Sequence, residues 1–242
     1  MARRVVIYGG SGGIGSATAR MLSQQGCALH LVGRNSERLK SMAEETGASI
    51  TVGDVEQEDT FSQVQQEFAA PWDGLVYAVG TINLMSLRRF TNEAFQKDFQ
   101  VNCVGAALAV QHGLSALKKS AHGASVVLYS SVAASQGFAF HASVGMAKAA
   151  INGLTLALAA ELAPRIRVNA IAPSLVRTPL AEAVLSNEQM AEAISQMHAL
   201  KRLGTAEDIA AMTVYLLSGD SGWVTGQIFG VDGGRSTIRT SG

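Results

Sequence analysis

Cysteine is scarce: Cys27 and Cys103 are the only two in 242 residues. They lie in apolar surroundings and form no CxxC pair, so they read as small buried residues of a chain kept in a reducing compartment. An excess of either charge is also missing. Nineteen basic residues balance nineteen acidic ones, which removes the electrostatic footprint of a nucleic-acid binder or of a protein drawn to anionic membranes. The apolar run after "MARR" is too short for a signal peptide, and no later run reads as uninterrupted enough to span a membrane. A cytoplasmic protein without nucleic-acid or membrane partners is therefore expected. Repeats, low-complexity linkers and composition breaks are absent, so a single domain over residues 1–242 is expected, with no metal.

Hydrophobic residues make up 48% of the chain and charged residues 16%, enough apolar material for a large core. Seven apolar runs read as strands: "RVVIY" (4–8), "ALHLVG" (28–33), "SITVG" (49–53), "GLVYAV" (74–79), "SVVLYS" (125–130), "IRVNAIA" (166–172) and "GQIFGV" (226–231). Most are continuously apolar rather than alternating, as strands covered on both faces are. Helix-like stretches separate them, among them one long stretch from Asn92 to Ser120. This rhythm predicts an α/β fold, a single-domain Rossmann arrangement with a doubly wound, seven-stranded parallel sheet and helices on both faces. Residues 174–204 break the rhythm as a helical insertion with Met190 and Met197, expected to be a lid over the site.

"YGGSGGIGSATAR" leaves the first strand and opens the first helix, with Gly9, Gly13 and Gly15 at G-x3-G-x-G spacing. Glycine permits a tight turn there, and the helix N-terminus favours a pyrophosphate. At the end of the second strand, where an acidic residue would take a ribose 2′-OH, stand Gly33 and Arg34. A guanidinium pairs with a 2′-phosphate, so NADP(H) is expected over NAD(H). The alternative is that Arg34 is an exposed charge at a helix entry.

Together, "GGSGGIG" at 9–15, "GD" at 53–54, "VNCVG" at 101–105, "SSVAA" at 130–134, Lys148, "IRVNAIAP" at 166–173 and "VDGG" at 231–234 make the chain resemble the short-chain dehydrogenase/reductase family along its full length. The resemblance implies a catalytic set on Asn102, Ser131 and Lys148. It implies cofactor contacts at Gly9, Ser11, Gly12, Gly13, Ile14 and Gly15. Further contacts are implied at Arg34 and Asn35, Asp54 and Val55, Ala78, Val79 and Gly80, Asn102 and Lys148, and Pro173, Ser174, Val176 and Thr178. It also implies a homodimer or homotetramer. Departures concern cofactor packing: Tyr8 stands for the usual threonine, "YAVG" (77–80) for Asn-Asn-Ala-Gly, and Pro173-Ser174 for Pro-Gly.

One departure touches the chemistry. The family's Tyr-x3-Lys would put tyrosine at 144, and "HASVGMAK" (141–148) has Val144 there. The enoyl thioester reductase branch spaces the pair as Tyr-x6-Lys, and seven residues before Lys148 stands His141. A neutral imidazole N–H aimed at an enolate oxygen could stabilise it, with Lys148 holding the nicotinamide ribose. Otherwise His141 packs as a loop residue between Phe138 and Phe140, and Ser131 is only a cap.

Three readings stay open. The chain is an NADPH-dependent reductase of a carbonyl or enoyl group on an apolar small molecule, an acyl thioester being one candidate. It is a diverged nucleotide binder without turnover, a sensor or scaffold. Or it is a reductase that draws its proton from solvent through Ser131 and Lys148.

Overall fold

The computed structural model describes residues 2–239; Met1 and residues 240–242 of the expected domain lie outside the described residues. Strands β1 (Arg4–Tyr8), β2 (Ala28–Gly33), β3 (Ser49–Val52), β4 (Gly74–Tyr77), β5 (Ala124–Tyr129), β6 (Ile166–Pro173) and β7 (Ile228–Val231) form one sheet. Their order is β3-β2-β1-β4-β5-β6-β7 and every pairing is parallel. The chain winds outward from β1 in one direction, then returns beside β1 with β4 and winds the other way. That reversal opens a crevice at the carboxyl ends of β1 and β4, where α/β sheets bind ligands.

Both sheet faces are apolar because alternate strand residues feed two cores. From β1, Val6 and Tyr8 enter one cluster with Phe61, Trp72 and Leu117, while Val5 and Ile7 enter the other with Leu22, Leu39 and Ile209. Burying each large aliphatic side chain stabilises the fold by about 1.5–3 kcal/mol. Helices α1 (Gly13–Gln24), α2 (Ser36–Thr46) and α9 (Ala206–Leu217) cover the second cluster; α3 (Asp59–Glu67), α5 (Gly105–Leu117) and α6 (Ala142–Leu162) cover the first.

The stretch from Asn92 to Ser120 is not one α-helix. It is α4 (Asn92–Phe99), a π-helical segment Gln100–Val104 and then α5. The extra residue in that turn re-aims the side chains, and Asn102 lies in it. The buried Tyr77 hydroxyl donates to the Val101 carbonyl at 2.7 Å and pins the segment; burial drives its pKa above the ordinary tyrosine value.

Helix α6 is more continuously apolar than its sequence suggested. An 18-residue window of this 21-residue helix reaches a mean hydropathy of 1.3, long and apolar enough to cross a membrane by length and composition alone. In this fold a stripe of Val144, Ala147, Ile151, Thr155, Ala159 and Leu162 is buried, and Lys148 interrupts it from within. Residues 174–204 form a short 3-10 turn Pro179–Ala181, then α7 (Glu182–Leu185) and α8 (Glu188–Gln196). His198 fastens the base of this insertion: its Nδ1 lies 2.9 Å from the Ile194 carbonyl and its Nε2 2.8 Å from Ser174 Oγ.

Candidate active site

Three connected spaces run along the carboxyl edge of the sheet. The first is a cleft of about 550 Å³ over the glycine loop. The second is an inner pocket of about 140 Å³ at Lys148. The third is an outer apolar cavity of about 630 Å³. Ala78, Val79, Gly80 and Thr178 line both the cleft and the inner pocket. Ser131, Val144, Ser174 and Leu175 line both the inner pocket and the outer cavity.

In the cleft, Gly9 has φ +79°, and a side chain there would sit 2.6 Å from the Ala78 carbonyl oxygen. Gly15 does not line the cleft; any side chain on it would collide with the Gly9 carbonyl, so its role is helix-to-loop packing. Gly12 caps α1 without a side-chain bond, and no acidic residue lies in the first turn. The N–H groups at that end are thus left for a ligand, and the dipole favours an anion. Ser11, Gly12, Gly13, Ile14, Arg34, Asn35, Asp54 and Val55 all line this cleft. Its shape and donors fit a dinucleotide with its pyrophosphate on α1. The Arg34 guanidinium lies 3.7 Å from Asp54 and is largely exposed, a pairing worth about 0–1 kcal/mol. Asn35 spends its carbonyl on the Arg38 N–H as the cap of α2. Arg38, which no sequence motif singles out, lines the same cleft one helical turn beyond Arg34.

Pro173, Ser174, Val176, Thr178 and Lys148 line the inner pocket. Lys148 is buried, and its Nζ donates to the Tyr129 carbonyl at 2.9 Å. Burial pushes its pKa down to about 8, with the nearby Cys103 opposing. Asn102 lines neither space, yet its Oδ1 and the Lys148 Nζ converge on Gly80, 2.8 and 3.3 Å from where a Cβ would stand. What holds Asn102 is visible only in the fold. Its Nδ2 donates to Thr81 Oγ1 at 2.7 Å and to the Asp98 carbonyl at 2.8 Å. The fully buried Asp98 carboxylate accepts from Thr81, Asn83 and Ser143, each at 2.6 Å. Asp98 precedes Asn102 by four residues, one helical turn, which is the signal that could have linked them.

Ser131 lies two residues beyond β5 in extended backbone, and its Oγ accepts the Ala133 N–H at 3.1 Å as the cap of the 3-10 turn Val132–Ala134. It is both a cap and a wall of two spaces, and among the described residues its hydroxyl proton has no acceptor. Val144, buried on α6, lies in the wall that the two spaces share. His141 lines the outer cavity but not the Lys148 pocket. Its ring tilts against Phe138 with centroids 5.3 Å apart. Its Nδ1 lies 2.7 Å from the Ala139 carbonyl, so the proton sits on Nδ1 and the neutral ring presents a bare Nε2. This corrects the expected neutral donor: Nε2 donates only as imidazolium. Phe140, with φ 65°, bends the loop between the two residues.

Comparison with known proteins agrees with this geometry. Residues 9–236 match the family described as enoyl-(acyl carrier protein) reductase. A carbonyl reductase family member 4 from Danio rerio is 33% identical over 98% of this chain and 100% of its own. The chain belongs to the short-chain dehydrogenase/reductase family. Tropinone reductase-like 3 from Erythroxylum coca is another relative, 32% identical over 95% of this chain and 91% of its own. Among solved structures of the family, a short-chain dehydrogenase/reductase from Mycobacterium ulcerans superposes with TM-score 0.92 at 28% identity, covering 98% of this chain and 90% of that one. Levodione reductase gives TM-score 0.90 at 30% identity, covering 98% of both chains. This short-chain dehydrogenase/reductase is thus an oxidoreductase by family, and its fold implies a nicotinamide dinucleotide.

Proposed function

We propose that the protein is an NADP(H)-dependent reductase of a carbonyl or enoyl group on a mostly apolar small molecule, an acyl thioester among the candidates. The observation that carries this reading is the continuity of the three spaces through Lys148, Ser131 and Val144. When bound, the nicotinamide would supply the hydride. Arg34, with Arg38 beside it, would take a 2′-phosphate, and Gly12, Gly13 and Ile14 the pyrophosphate. Lys148 would hold the ribose, its ammonium steered by the Tyr129 carbonyl and by Asn102. Ser131 would donate its free hydroxyl proton to the substrate oxygen. With Val144 at the tyrosine position, His141 would deliver the proton as imidazolium through Nε2 in reduction and accept it when neutral in oxidation. Met190 and Ile194 of α8 face the outer cavity, which supports the lid role for residues 174–204.

A nucleotide binder without turnover is the second reading. It is favoured by Val144 and by the position of His141 outside the Lys148 pocket. NADPH and NADH oxidation against a panel of ketones, 3-oxoacyl thioesters and 2-enoyl thioesters separates the two. Turnover on any member excludes the second reading; cofactor binding with no turnover across the panel excludes the first.

A further inference from the structure

The outer cavity is apolar but not neutral. Among the described residues no Asp or Glu lines it, whereas Arg89, His141 and Arg235 do. Arg89 is exposed at the rim. Arg235 is half-buried, and its guanidinium lies over the Phe138 ring at 5.0 Å from the centroid. Among the described residues its guanidinium makes no hydrogen bond or close ion pair; burial lowers its pKa, and the charge of Asp232 opposes that only from a distance. The acid nearest in sequence, Asp232, is already engaged by the N–H groups of Gly234 and Ser236 at 2.9 and 3.0 Å. Gln136 ties this turn down by donating to the Ser236 carbonyl at 2.8 Å. A cation is thus fixed in an apolar wall with its N–H groups unpaired, an arrangement that costs free energy unless a ligand supplies the anion.

We infer that Arg235 sets substrate specificity by pairing with a carboxylate, so that the substrate class is an apolar oxo or enoyl acid. Phe138 takes the face of the guanidinium and leaves its edge, which matches the two oxygens of a carboxylate. Arg235 lines the outer cavity and not the inner pocket, so the carboxylate lies at the end of the substrate away from the reacting carbon. This assignment rests on the outer cavity being the substrate site of the reductase proposed above.

The test is a binding measurement that needs no turnover. 5-Oxo-5-phenylpentanoate and its methyl ester are titrated by calorimetry into the protein with NADP⁺, with NAD⁺ and without cofactor. The acid is expected to bind about ten- to hundredfold tighter than the ester, the range of one charge-assisted hydrogen bond. Arg235→Met should abolish that preference, Arg235→Lys should keep part of it, and Arg89→Met should leave it intact. Circular dichroism and thermal unfolding establish that each variant is folded. Equal binding of acid and ester, binding of neither, or a preference that survives Arg235→Met overturns the assignment. If the acid is preferred through Arg235 but is not reduced with NADPH, the inference stands and only the reaction is in question.

Discussion

Replacing Lys148 by methionine should make the protein more stable while removing its activity. Burial holds this ammonium at about 8 where an ordinary lysine stands at 10.5. While charged, it therefore costs the fold about 3 kcal/mol. Methionine keeps the length of the side chain and needs no solvation. It also gives up the bond to the Tyr129 carbonyl, which contributes about 1 kcal/mol net. The expected gain near neutral pH is about 2 kcal/mol, or a rise in Tm of about 4–8 °C for a chain of this size. The sign of the pH dependence follows from linkage. The folded pKa lies below the unfolded one, so between about 8 and 10.5 the unfolded chain holds more protons. The penalty is full below about 8, fades as pH rises through that window, and is gone above 10.5. Thermal unfolding of parent and Lys148→Met across this range is the assay. The gap between them should be widest near pH 7 and narrow by pH 10. A variant less stable than the parent at pH 7, or a gap that does not change with pH, would refute the reasoning.

Arg34→Ala should weaken NADPH binding about ten- to hundredfold and leave NADH unchanged, because only the 2′-phosphate forms a charge-assisted pair with the guanidinium; equal affinities in the parent would remove the cofactor assignment. Asp98→Ala strips Thr81, Asn83 and Ser143 of their acceptor and should cost about 2–4 kcal/mol in urea unfolding, with kcat falling more than cofactor affinity. His141→Ala should lower single-turnover reduction about 10²–10³-fold with NADPH binding intact; an unchanged rate would make His141 a packing residue and leave solvent or Ser131 as the proton source. Helix α6 leaves Met146 and Leu156 exposed at 47% and 53%, so light scattering at micromolar concentration is expected to report a dimer or tetramer, and a monomer would contradict this.

What the sequence made legible is what repeats or what is glycine. All seven strands were readable because a sheet covered on both faces leaves apolar runs of one kind, and β1 to β7 fall within two residues of those runs. The dinucleotide loop was readable because Gly9 needs a positive φ and Gly15 a missing Cβ. The π-helical segment was not, since one added residue in a helical turn changes no composition. With it went Asp98, whose partners Thr81, Asn83 and Ser143 come from other segments of the chain.

His141 marks the boundary between the two kinds of information. Its spacing from Lys148 is a property of the sequence, and on that count alone it reads as the replacement for tyrosine. Which of its nitrogens carries the proton is a property of the backbone. Phe140 turns through φ 65°, and the Ala139 carbonyl accepts the hydrogen bond from Nδ1–H. A tyrosine hydroxyl donates in its neutral form, whereas this imidazole donates from Nε2 only when charged. If His141 serves the reaction, reduction therefore draws on the protonated ring and oxidation on the neutral one. The same substitution that looks conservative by position changes which form of the side chain can donate, through a carbonyl two residues away.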